Sequence, residues 1–224
     1  MMRVIEQLQG GLIVSCQAAV DSPLFGPEMM ARMAQAAVAG GAVAIRARGM
    51  DDVRAIKEAV DVPVIGLTKR GHTGVYITPT VEDAVHLQEA GADLIAVDAT
   101  LRPRPDGSSP AEHLARLHEC LSVPVLADVD TVEAGLQAEQ CGVAILASTL
   151  SGYTVPEESS GPDIRIIEEL STYGNVPVIA EGRYQSVEDI RLALSVGAWA
   201  VVIGGAITDP VAITRRFAEG FRRN

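Results

Sequence analysis

The chain has 224 residues, of which 48% are hydrophobic but only 4% aromatic, and its formal net charge is −11. That length suits one domain spanning 1–224 with a large aliphatic core. The acidic balance argues against a nucleic-acid partner, which needs clustered Lys and Arg, yet leaves room for a small anion in one local positive pocket. Cys16, Cys120 and Cys141 are an odd count without metal-ligand spacing, which points to a reducing cytoplasm. Met1 to Gly10 lacks a signal peptide's apolar run, and no stretch approaches the length of a membrane span.

Strands are expected at Leu12–Gln17, Ala42–Arg48, Val64–Lys69, Leu94–Thr100, Val125–Asp130, Val143–Thr149, Val178–Arg183 and Ala200–Ala206, as near-continuous apolar runs covered on both faces. Helices are expected at Glu28–Ala39, Asp51–Val60, Val81–Ala90, Pro110–Cys120, Thr131–Cys141, Asp163–Tyr173, Ser186–Val196 and Pro210–Gly220, with a short one before the first strand. Asp51, Thr80, Ser109, Asp130, Ser186 and Asp209 read as N-caps. Two joints alternate between helix and next strand. Val62-Pro63-Val64, Val123-Pro124-Val125 and Val176-Pro177-Val178 place a proline at a strand start. Gly41, Gly91, Gly142 and Gly197 end a helix in a left-handed turn. Eight βα units with a two-unit rhythm predict a (β/α)8 TIM barrel.

Polar residues gather where the strands finish, at Gln17, Arg46/Arg48, Lys69, Asp98, Asp128/Asp130, Thr149 and Glu181/Arg183. In a parallel barrel those ends converge on one mouth, where barrel enzymes place their chemistry. Asp130 and Thr149 also suit a role as caps or loop braces. Lys69, in a walled pocket, is a proton-transfer candidate because partial desolvation lowers an amine's pKa. Glu181 is the second acid/base candidate. Arg46 offers a rigid fork for an oxyanion or carbonyl. Asp128 orients Lys69, accepts a sugar hydroxyl, or satisfies loop amides. Gln17 is a substrate contact or part of a core network. Gly182, with Gly204 and Gly205, lets backbone amides approach an anion at the ends of the seventh and eighth strands. His72, His86, His113 and His118 form no ligand cluster, and surface roles suit them; no metal is expected. Cys16 reads as a buried, inert thiol inside the first strand.

These residues resemble the N-acetylmannosamine-6-phosphate 2-epimerase family of sialic acid catabolism. The resemblance runs from Gly11 to Pro210. It rests on Gly11-Leu12-Ile13-Val14-Ser15-Cys16-Gln17, Asp21-Ser22-Pro23-Leu24, Ala42-Val43-Ala44-Ile45-Arg46, Lys69-Arg70 and Arg102-Pro103-Arg104-Pro105. It continues in Ser148-Thr149-Leu150-Ser151-Gly152-Tyr153-Thr154, Ala180-Glu181-Gly182-Arg183-Tyr184 and Gly197-Ala198-Trp199-Ala200-Val201.

The resemblance implies inversion at C2 of an N-acetylhexosamine 6-phosphate without metal or organic cofactor, in a homodimer. It maps a catalytic lysine to Lys69 and its acidic partner to Glu181. Gln17, Arg46 and Asp128 match positions that hold the sugar and N-acetyl group, and Gly182, Gly204 and Gly205 match the phosphate end. Tyr153 is a further substrate-binding candidate. Where many relatives read Gly-Ser-Ala-Ile-Thr-Arg, this chain has Gly204-Gly205-Ala206-Ile207-Thr208-Asp209. Asp209 then caps a helix, and Arg183 is the candidate for the missing charge. The alternatives are another cofactor-free phosphosugar isomerase, a lyase using Lys69 as a Schiff-base nucleophile, and a non-catalytic phosphosugar-binding regulator.

Overall fold

The computed structural model describes residues 2–71, 74–154 and 161–221. Among them, eight parallel strands pair in sequence order and close β8 onto β1. The strands are β1 (Leu12–Cys16), β2 (Ala44–Arg48), β3 (Val64–Leu67), β4 (Leu94–Asp98), β5 (Val125–Asp128), β6 (Ile145–Ala147), β7 (Val178–Glu181) and β8 (Ala200–Ile203). Helix α1 (Met2–Glu6) precedes them. Between strands lie α2 (Pro27–Ala39), α3 (Met50–Ala59), α4 (Val81–Glu89), α5 (Pro110–Cys120), α6 (Val132–Gln140), α7 (Ile164–Tyr173) and α8 (Val187–Ser195); α9 (Gly205–Thr208) and α10 (Pro210–Glu219) follow β8. The barrel expected from the βα rhythm is present.

Side-chain parity divides the strands between two cores. Ile13, Ala44, Ile65, Leu67, Leu94, Ala96, Leu126, Ile145, Ala147, Ile179, Ala200 and Val202 fill the barrel interior. Their neighbours, among them Val14, Cys16, Ile45, Ala47, Val97, Ala127, Leu146 and Ala180, pack outward against the helices. Leu8 joins the interior cluster, and the Trp199 indole donates to the Ile5 carbonyl at 2.9 Å, so the segment carrying α1 closes the lower end.

The strands are shorter than the apolar runs. Ladder pairing stops at Cys16, Leu67, Asp98, Asp128, Ala147 and Glu181, so Gln17, Lys69, Asp130, Thr149 and Arg183 lie just beyond their strands. Pro63, Pro124 and Pro177 precede strands rather than open them. Lacking N–H, each still presents its carbonyl to the neighbouring strand, accepting from Ile45, Ile95 and Leu146 respectively. Gly41 and Gly197 take φ of 101° and 107°, the left-handed ends expected of glycine joints.

Thr80, Ser109, Ser186 and Asp209 cap α4, α5, α8 and α10. Two expected caps differ. Gly49 occupies the N-cap of α3, which puts Asp51 inside the first turn, bonded to Arg54. Thr131 caps α6 and frees Asp130 to accept from Thr154 at 2.8 Å. His113 is 1% exposed beneath α5 rather than at the surface, because the helix turns that position towards the barrel. His72 lies outside the described residues. No helix among them is long and apolar enough to cross a membrane.

Candidate active site

The inward parity of the hydrophobic interior continues past the last apolar layer, and there the side chains become polar. Ile13 leads to Ser15 and Gln17, Ala44 to Arg46, and Leu67 to Lys69; Leu126 leads to Asp128, Ala147 to Thr149, and Ile179 to Glu181. They surround or underlie a cavity of about 670 Å³ at the carboxyl ends of the strands, lined in part by Gln17, Lys69, Thr149, Tyr153, Glu181, Gly182, Gly204 and Gly205.

Arg46 is the buried centre of this layer. Its Nη1 and Nη2 donate to Asp128 Oδ1 and Oδ2 at 3.0 and 2.5 Å, and Nη1 also reaches Glu181 Oε2 at 2.5 Å. The fork expected to face a substrate oxyanion instead closes on two carboxylates. Burial opposes the guanidinium charge, but Asp128 and Glu181 outweigh it and hold its pKa above the ordinary value. Thr149, expected as a brace or cap, meets both acids, at 2.6 Å from Asp128 Oδ1 and 3.1 Å from Glu181 Oε2.

Glu181 is shared by one guanidinium and crowded by a second carboxylate. Burial raises its pKa first, and Asp128 adds to the rise, while Arg46 and Lys69 pull against it. Lys69 bridges Ile77 through its backbone, and its amine has no hydrogen-bond or ion-pair partner among the described residues. Its amine is enclosed by the cavity walls but open to solvent at the mouth. Partial desolvation lowers its pKa, and Arg46 lowers it further. Gln17 donates to Ser15 Oγ at 2.7 Å, which leaves its Oε1 buried without a partner among the described residues.

The far end of the cavity is built by Gly182, Gly204, Gly205 and Arg216, the last bonded to Gln185 at 3.0 Å. Arg183 also lines it, but its Nε and Nη1 donate to the carbonyls of Gly161 and Ser151, and its guanidinium stacks on Tyr153 at 4.8 Å. It therefore braces the β6 loop rather than standing free as the missing cation. Arg216 escaped sequence reading because it sits on a helix, away from any strand end. Asp209 caps α10 through Ala212 N at 2.9 Å, as expected.

Another polar strand end serves loops. Asp98 accepts from Tyr76 N, Thr100 and Arg102, tying the loops after β3 and β4 together. Cys16 points into the helix layer, and burial pushes its thiol up to about 12, so it is inert. Among the described residues, no three His, Cys, Asp or Glu side chains converge as metal ligands do.

Residues 30–223 match the family described as "Putative N-acetylmannosamine-6-phosphate epimerase". The chain belongs to this epimerase family. A "Putative N-acetylmannosamine-6-phosphate 2-epimerase" of Caldanaerobacter subterraneus is 50% identical over 220 residues, covering 96% of this chain and 93% of the relative. A relative of the same description from Cutibacterium acnes is 48% identical over 223 residues, covering 98% and 97%. The solved N-acetylmannosamine-6-phosphate 2-epimerase of Clostridium perfringens superposes with a TM-score of 0.91 at 40% identity, covering 97% of this chain and 96% of that one. A Pyrococcus furiosus thiamine phosphate pyrophosphorylase, at 16% identity and a TM-score of 0.64, shares the barrel alone. Within the epimerase family, the Lys69–Glu181 cavity is the candidate active site.

Proposed function

We propose that the chain interconverts N-acetylmannosamine 6-phosphate and N-acetylglucosamine 6-phosphate by moving a proton at C2. The observation that carries this reading is the pairing, in one cavity, of a lysine amine without a hydrogen-bond partner among the described residues, its pKa lowered, with a glutamate whose pKa is raised. The C2 proton becomes removable once the sugar ring opens and C1 is a carbonyl. Epimerisation then needs one group to take the proton and another to return one on the opposite face. Lys69 after β3 and Glu181 on β7 stand on opposite arcs of the barrel and fit those two roles.

Arg46 fixes the carboxylates of Asp128 and Glu181. The buried Gln17 Oε1 is an acceptor for a substrate N–H or hydroxyl. At the far end, Arg216 and the open backbone at Gly204 and Gly205 suit the phosphate, and Tyr153 covers Arg183 beside it. The chemistry requires neither metal nor organic cofactor.

Proton NMR of N-acetylmannosamine 6-phosphate in deuterium oxide tests the reading. N-acetylglucosamine 6-phosphate carrying deuterium at C2 is expected with the wild type and not with Lys69→Ala. Absence of product with the wild type overturns it. Lys69 would also serve a Schiff-base lyase, so borohydride with substrate is the companion experiment; no reduced adduct is expected.

We further propose a homodimer. Helix α10 buries none of its side chains, and Val211, Phe217 and Phe221 are 47%, 65% and 88% exposed. Val211 joins Pro23, Leu24, Pro210 and Thr214 in an apolar cleft, the kind of surface that a second copy covers. Sedimentation equilibrium of the wild type and of Phe217→Glu tests this, with a shift towards monomer expected of the variant.

A further inference from the structure

Between the two carboxylates sits a hydroxyl with one hydrogen. Thr149 Oγ1 lies 2.6 Å from Asp128 Oδ1 and 3.1 Å from Glu181 Oε2, so in this geometry its hydrogen goes to Asp128. Arg46 Nη1 has two hydrogens, and its nearest acceptors are Glu181 at 2.5 Å and Asp128 at 3.0 Å; Thr149 is farther, at 3.3 Å. Asp128 thus receives three donors, from Nη1, Nη2 and Thr149. Glu181 Oε2 receives one, and the Thr149 oxygen facing it offers a lone pair. Two oxygens without a hydrogen between them repel. A proton on Glu181 turns that repulsion into a hydrogen bond from Glu181 to Thr149.

We propose that Thr149 is a positioning residue that makes Glu181 the member of the pair that gains and loses the proton. With Glu181 ionised, the hydroxyl makes one hydrogen bond to the pair. With Glu181 protonated it makes two, donating to Asp128 and accepting from Glu181. It therefore favours the state with one proton on the pair, and assigns that proton to the acid that opens onto the cavity. Asp128 is 0% exposed, whereas the Glu181 side chain retains 14% exposure. The charged groups acting on Glu181 are Arg46 from β2, Asp128 from β5 and Lys69 after β3; all three side chains remain in a Thr149 variant, and of them Asp128 loses the donated hydroxyl hydrogen. A hydroxyl donating to Glu181 would lower that carboxyl's pKa, but the single hydrogen is held in the shorter contact, to Asp128.

This inference rests on the proposed proton transfer at Glu181, and the test separates the two. The pH dependence of kcat and kcat/KM is measured for the wild type, Thr149→Val, Thr149→Ala and Thr149→Ser, with C2 deuterium incorporation followed for each. Without the hydroxyl, Glu181 holds its proton less tightly. The limb of the profile that reports Glu181 then moves to lower pH by about half a unit to one unit, and kcat falls about 10- to 100-fold. KM stays within about twofold. Thr149→Ser restores the wild-type profile.

A limb that stays in place or moves to higher pH in both the valine and alanine variants overturns the proposal. So does a serine variant as impaired as valine, which would assign the effect to the methyl group's packing. Alanine adds no bulk and carries the test alone if the valine variant does not fold. Failure of the wild type itself to incorporate deuterium would instead remove the reading of Glu181 on which the inference depends.

Discussion

Arg46 and Asp128 reach across the barrel from β2 and β5 to form a two-armed ion pair, with Nη–Oδ distances of 3.0 and 2.5 Å and both side chains out of contact with solvent. Removing one member strands the other charge in the core, which costs about 3–5 kcal/mol. Asp128→Ala is therefore expected to lower the urea midpoint sharply and Arg46→Met to do the same, by chemical denaturation at neutral pH. Asp128→Asn keeps one acceptor for the fork and should lie between wild type and Asp128→Ala. Equal stability of all four proteins would show that the pair is not a structural anchor.

A two-group proton transfer makes an asymmetric isotope prediction. With Lys69→Met and Glu181→Gln, epimerisation is expected to fall by at least about 100-fold. The two variants should differ in which C2 epimer still exchanges its proton with deuterium oxide, since each keeps the group on one face. Exchange lost from both epimers in only one variant would point to a single base serving both directions.

The activity profile should be a bell. The Lys69 pKa is lowered from 10.5, so the limb reporting it falls below that pH; the Glu181 pKa is raised from 4.5, so the other limb lies above that value. Initial rates across the pH range measure both. Glu181→Asp should move the acidic limb and leave the alkaline one where it was.

His113 provides a separate pH effect, on stability. Burial, then the nearby charges of Arg104 and Arg116, push it down to about 4 from 6.5. The folded chain resists a proton that the unfolded chain accepts between those values. Its stabilising contribution is complete above pH 6.5 and declines as the pH falls towards 4, by about 3 kcal/mol in all. Replacing the ring with phenylalanine should flatten that part of the difference in unfolding free energy. An unchanged slope between pH 6.5 and 4 would place the titration elsewhere.

At the anionic end, Arg216→Ala is expected to raise KM for the phosphosugar about tenfold with kcat nearly unchanged, the pattern of lost uniform binding. Arg183→Ala should act differently, loosening the loop it braces and lowering kcat as well. Steady-state kinetics of both variants distinguish a ligand contact from a strut.

Much of this site was legible because strand parity is local. Ile65, Leu67 and Lys69 alternate inward whether or not the ladder continues, so a charge at the third step had to face the cavity. Parity fails where the backbone turns. Gly182 and Arg183 take φ of 118° and 59°, which swings the Arg183 side chain onto the Ser151 and Gly161 carbonyls. Arg216 reaches the cavity from α10, through a helix whose placement depends on packing that no short window encodes. Thr149 was visible but ambiguous, since a threonine after a strand equally suits a cap. The partners that decide its role come from β5 and β7.

The division between Cys16 and Gln17 shows how little separates the chemistry from the scaffold. One step along the chain moves a side chain from the helix layer to the cavity. Inserting a single residue ahead of Lys69 within β3 would send the amine outwards and bring an apolar neighbour into the mouth, whatever the loops did. This part of the molecule can be revised by exchanging side chains but not by changing length, whereas the connecting loops tolerate both. New specificities on this barrel are accordingly more accessible through the loops after Ala147 and Ile203 than through the strands themselves.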